Sequence, residues 1–171
     1  MSKLRVFSLF IMLFALLAQA QAGKKFTFFT GIDGKLFYVF PQKMDKAEGC
    51  VAKSKLKYDV TTLSTTDSIS FTAFIVTPQY VQFGTATLTF ADGSSLTSEI
   101  ELLFVKPKGS KKYVNRVRFW VNREEFDKIV ASPTPLLFDY GSNCTFKFSQ
   151  KKWDKISHEL KDIFEIMDKM K

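Results

Sequence analysis

The sequence predicts an α+β fold. A predominantly antiparallel sheet of about six to eight strands, a sandwich or partly open barrel, carries a short helix near 123–131 and a C-terminal amphipathic helix packed on the sheet. Three observations lead there. Apolar residues recur at every second position through most of the stretch up to residue 121. Turn-forming clusters interrupt that stretch at intervals that suit hairpins. Beyond residue 122 the apolar spacing shifts to every third or fourth position, the period of a helix.

Taken in order, Lys25–Thr30 (KFTFFT) and Lys35–Phe40 (KLFYVF) are aromatic runs of high β propensity around the turn Gly31-Ile32-Asp33-Gly34. A polar loop is expected from Gln42 to Gly49. In Val51–Val60, Leu56, Tyr58 and Val60 point to one face, while Lys53, Lys55, Lys57 and Asp59 point to the other. Ser68–Thr77 alternates with Ile69, Phe71, Ala73 and Ile75 on one side, and Phe74 and Val76 make its other side partly apolar. Val81–Phe90 and Leu96–Val105 read as one hairpin across Ala91-Asp92-Gly93-Ser94-Ser95, because Asp-Gly supplies the turn. After a turn at Lys106–Lys112, Tyr113–Val121 resumes the strand pattern. Val117, Phe119 and Val121 take its core face; Arg116, Arg118 and Trp120 take the other.

Asn122 then fits an N-cap with Glu125 at N3, the pattern of a capping box, ahead of Phe126, Ile129 and Val130 on one helix face. Ser132-Pro133-Thr134-Pro135 ends that helix. Leu136–Tyr140 and Cys144–Phe148 are expected to pair around Gly141-Ser142-Asn143. From Gln150 onward, Trp153, Ile156, Leu160, Phe164 and Met167 form a stripe, with Lys155/Glu159, Lys161/Glu165 and Glu165/Lys169 as i,i+4 charge pairs on the exposed side.

The first 22 residues read as an address. Lys3 and Arg5 precede the apolar run Leu9–Ala18, and small residues follow at cleavage spacing (Ala18-Gln19-Ala20, Ala20-Gln21-Ala22). The run is short of the ~20 residues a bilayer span needs. The expectation is a removed signal peptide over 1–22 and one β-rich domain over 23–171, with no transmembrane segment in the mature chain. Localisation then follows as bacterial export, periplasmic or secreted. No cysteine lies near the cut, so a lipoprotein is not expected.

Losing Lys3 and Arg5 leaves 23 basic against 17 acidic residues, net +6, and keeps 16 of the 19 phenylalanines. An aromatic core follows from that share. With 8 Gly and 5 Pro in 171 residues, the chain is neither collagenous nor low-complexity. In an oxidising compartment Cys50 and Cys144, the only two cysteines, have one possible pairing, which closes a loop of about 93 residues. Two separate buried thiols are the rival reading.

Most catalytic chemistries lack their parts. The single histidine, His158, sits among charges on the last helix, between Asp154 and Asp162. Three or four convergent metal ligands are not supplied by one His and two paired Cys, so no metal and no cofactor are expected. No G-x-S-x-G elbow occurs, and Gly109-Ser110-Lys111 lacks the first glycine of a phosphate loop. Glu99 and Glu101 read as water-facing neighbours on one strand, and Asn143-Cys144-Thr145 as a poor glycosylation acceptor.

Surface remains. Lys53, Lys55 and Lys57 either discourage edge-to-edge association or meet an anionic partner. Arg116, Arg118 and Trp120 are either a binding surface, or a tryptophan packed under the C-terminal helix with arginines at its rim. The expected function is a non-enzymatic binding module for a protein or an anionic or glycan ligand at the cell envelope or outside the cell. No nucleic acid partner is expected. Carriage of an apolar ligand in a Phe-lined cavity is the alternative, and a hydrolase with unmarked carboxylates the third.

Overall fold

The computed structural model describes residues 26–46, 49, 54–109, 112–141 and 144–170. The proposed leader, Lys53, Cys50, Ser110, Lys111 and Asn143 lie outside these residues.

Among the described residues ten strands and two helices follow one another as β1 (Phe26–Gly31), β2 (Gly34–Lys46), β3 (Lys55–Leu63), β4 (Ser68–Thr77), β5 (Thr85–Thr89), β6 (Ser95–Glu99), β7 (Glu101–Pro107), β8 (Tyr113–Asn122), α1 (Arg123–Ala131), β9 (Leu137–Asp139), β10 (Phe146–Lys147) and α2 (Gln150–Lys169). The sheet order is β6-β5-β9-β10-β2-β3-β4-β8-β7, with β1 paired to β2, and every pairing is antiparallel. The first and last strands of that order are consecutive in the chain, so the sheet curls into a half-barrel. The helices pack on its inner face.

The predicted α+β architecture is what forms, with three local differences. The region expected as a loop after Gln42 is strand: β2 runs on to Lys46. A register shift between Val39 and Gln42 explains how, because the irregularity absorbs Pro41, which has no N–H to donate. The single strand expected over Leu96–Val105 is two. The chain changes partner at Ile100, so β6 pairs with β5 and β7 with β8. Finally, Val81–Gly84 stays outside β5.

Elsewhere local chemistry acts as read. At the β1–β2 turn Gly34 takes φ +123°, and a side chain there would meet Ser64 Oγ at 2.7 Å. Asn122 Oδ1 accepts the Glu125 N–H and Glu125 Oε2 accepts the Asn122 N–H, each at 2.8 Å, closing the capping box of α1. The stripe Trp153, Ile156, Leu160, Phe164 and Met167 is wholly buried, joined by Ile163. Phe71 on β4 stacks on Phe119 of β8 at 5.2 Å and touches Phe126 of α1, which stacks on Phe164 of α2 at 4.0 Å. This run of rings joins sheet to helices, and its burial supplies much of the stabilising apolar area.

Candidate binding groove on the outer sheet face

The antiparallel register turns sequence alternation into rows. Paired residues share a face, so the outer face of β2, β3, β4 and β8 can be read across the strands. One row is Tyr38–Thr61–Ser70–Trp120, and the next is Asp59–Thr72–Arg118–Glu101. In the first row large rings stand at the two sides and small hydroxyl residues between them. Three strand spacings separate the rings, about 14 Å. The result is a groove of about 710 Å³ with a hydroxyl floor. Phe29, Leu36 and Tyr38 line one side, and Arg116, Arg118 and Trp120 line the other.

Trp120 is 46% exposed and lies away from the buried stripe of α2. The packing of Trp120 under the C-terminal helix is therefore corrected; the helix uses Trp153 for that purpose. The Arg118 guanidinium lies 5.6 Å from the Trp120 ring centre and 3.5 Å from the Glu101 carboxylate. Glu99 and Glu101, expected on one strand face, belong to different strands, and Glu101 engages Arg118. The Arg116 guanidinium covers the Phe74 ring at 4.3 Å.

Asp59 is the largest departure from expectation. Period two places it on the outer face with the lysines, as read, yet it is 1% exposed. The long side chains around the groove enclose it. Its nearest cation is Arg116, with Nη2 3.9 Å from Oδ2, too far for a hydrogen bond. No described group donates to either Asp59 oxygen, and Arg118 Nε is likewise buried without a partner. Burial pushes the Asp59 carboxyl above its ordinary value, while Arg116 and Arg118 pull it down. The Tyr38 hydroxyl is also raised, first by burial and then by the Asp59 charge.

The basic residues sort along the strands. Beyond Arg116, the row Lys43–Lys57–Phe74–Arg116–Phe104 crosses β2, β3, β4, β8 and β7 on the same face. The following row is Lys55–Val76–Val114–Lys106. Lys55 and Lys57 are exposed and stand with Arg116 and Arg118 on one surface; the lysine and arginine stripes are therefore parts of a single face.

The chain matches no family model, no curated protein and no solved structure.

Other predicted features fall outside the groove. Among the described residues, the void lined by Phe71, Phe119, Phe138 and Phe148 holds about 40 Å³, too little for a lipid. His158 is 76% exposed, with Nε2 3.7 Å from Asp162. Among the described residues no three His, Cys, Asp or Glu side chains converge, and no helix is long and apolar enough to cross a membrane. Cys144 is buried and engaged.

Sequence reasoning named Arg116, Arg118 and Trp120 but missed Tyr38, Asp59, Thr61, Ser70 and Thr72. A signal existed in the small hydroxyl residues at alternate positions, Ser68, Ser70 and Thr72, which leave a trough wherever their neighbours are large.

Proposed function

We propose that the protein is a non-enzymatic binding module that seats a glycan in this groove. The observation that carries the reading is the exposed Trp120 ring facing Tyr38 across a floor of threonine and serine hydroxyls. Sugar rings present apolar C–H faces that rest on aromatic rings, and hydroxyls that exchange hydrogen bonds with a polar floor. The 710 Å³ volume falls within the range of small-molecule sites. The small interior void supports surface binding over internal carriage.

The leader pattern supports export, and the buried Cys144 supports a Cys50–Cys144 disulfide in that compartment. N-terminal sequencing of protein from an envelope fraction, with thiol titration before and after reduction, tests both. Retention of the leader or two titratable thiols in unreduced protein overturns them. For the groove, a printed oligosaccharide panel is probed with wild type and Trp120→Ala. Sugar binding that is lost in the variant is expected. Binding only to a co-purified protein, or sugar binding indifferent to Trp120, removes the reading.

A further inference from the structure

We propose that the ligand is an acidic glycan chain laid along the strands, with its hydroxyls on Asp59 and its negative charges on Arg116, Arg118 and the lysine rows. This rests on the groove being a glycan site and names the class of glycan.

Two buried groups define what the occupant must offer. Asp59 is 1% exposed and its two oxygens accept nothing from the described protein. A carboxylate presented this way needs donors, and leaving it without them costs free energy. Arg118 Nε, a donor only, is buried without an acceptor on the same cross-strand row, two strands from Asp59. Reaching either group requires the long side chains that cover them to shift, and an occupant that reaches them must bring both hydrogen-bond donors and acceptors. Sugar hydroxyls do both; a phosphate chain brings acceptors alone, and an aliphatic ligand brings neither.

Charge supplies the second requirement. Outside the groove the same face continues through Arg116 to Lys57 and Lys43, and then to Lys55 and Lys106. The acids on this face are few and placed. Glu101 is held by Arg118 at 3.5 Å, and Asp45 at the end of β2 is near Lys152 at 3.8 Å. Trp120 and Val114 lie six residues apart on β8, about 20 Å at the strand rise. A chain stacked at Trp120 and running parallel to β8 thus passes from aromatic to basic ground. Its acidic groups meet arginine first, which binds carboxylate or sulfate with paired N–H donors, and lysine afterwards.

The test uses the full mature protein and calorimetry against three probes: an oligogalacturonate, its fully methyl-esterified neutral form, and inorganic polyphosphate. The expected result is that the acidic sugar binds at least tenfold tighter than its ester, and that the preference shrinks with added salt. Lys43→Ala with Lys57→Ala weakens the acidic sugar several-fold and leaves the ester unchanged. Asp59→Asn separates recognition from plain charge attraction. It weakens the acidic sugar, because an acceptor is lost, and tightens polyphosphate, because a negative charge is gone. Equal binding of sugar acid and ester, lost in Trp120→Ala, overturns the acidic assignment and keeps the groove. Tightening of both anions by Asp59→Asn overturns the role of Asp59. Failure of both sugars to bind overturns this inference and the glycan reading together.

Discussion

Arg116 Nη2 stands 3.9 Å from Asp59 Oδ2, near enough to attract the carboxylate and too far to hydrogen-bond it. The pair is an incomplete ion pair on the floor of a groove, and one partner is almost fully enclosed. Such an arrangement is expensive for folding, because desolvation of the charge is poorly offset. The retention of an acid there is understandable if a ligand completes it.

The first prediction follows from that cost. Burial holds the Asp59 carboxyl above the ordinary 3.8, so the folded protein takes up its proton more readily than the unfolded chain. Its stabilising contribution is fully present below 3.8 and is lost as pH rises through the raised folded value. Asp59→Asn should therefore melt higher than wild type near neutral pH, by roughly 2–4 °C for about 1 kcal/mol. The difference should close in acid, once both unfolded and folded carboxyls are protonated. Calorimetric melting across pH checks this; a variant that melts lower near neutrality contradicts it.

A second prediction concerns how the helices are joined. Arg123 opens α1, and its guanidinium contacts Asp127 at 3.1 Å, Asp168 at 2.9 Å and the Phe164 ring at 5.1 Å. Two of these three partners lie on α2, so Arg123 clamps the helices. Arg123→Ala should cost roughly 1 kcal/mol, discounted for partial exposure of the pair. A double-mutant cycle with Asp168→Ala in urea should leave a coupling of about 0.5 kcal/mol. Strict additivity would show that the clamp contributes nothing.

The aromatic chain yields a third. Phe126 is 0% exposed and touches both Phe71 and Phe164. Phe126→Ala removes the ring where sheet meets both helices and should cost about 3–5 kcal/mol. Phe126→Leu, which keeps most of the volume, should cost much less. Urea midpoints decide, and near-equal losses for the two variants would indicate that the site collapses around the cavity.

Legibility in the sequence followed the range of the interactions. The capping box of Asn122 and Glu125 and the stripe from Trp153 to Met167 are local, and both stand as read. Pairing choices are not local. In Leu96–Val105 the alternation of Leu96–Glu101 gives way to the unbroken apolar run Leu102–Val105, but that change of pattern does not say which partner strand each half takes, so the departure from β5 to β8 at Ile100 was not legible. Continuation of β2 past Pro41 depends on a bulge that only the register with β3 produces. Asp59 shows the limit most clearly. Alternation gave its face correctly, but its burial comes from side chains on other strands, Arg116 among them. The arginine and tryptophan stripe was visible; the trough beside it required strand order.

The last prediction uses the contrast between the two tryptophans, the only ones in the chain. Trp153 is 4% exposed and donates its ring N–H to the Ser132 carbonyl at 2.8 Å, tying α2 to the end of α1. Trp120 is 46% exposed beside the groove. Trp120→Ala should change stability by less than about 0.5 kcal/mol, as surface replacements do. Trp153→Phe should cost about 1 kcal/mol or more, since it loses the hydrogen bond and strands the Ser132 carbonyl. It also leaves Trp120 as the sole indole reporter. In that variant emission should be typical of a wetted indole and readily quenched by acrylamide. Adding a saturating acidic oligosaccharide should shift emission to shorter wavelength and reduce quenching, because a stacked sugar excludes water from the ring. Unchanged quenching at a concentration where calorimetry shows full occupancy would place the ligand elsewhere on the protein.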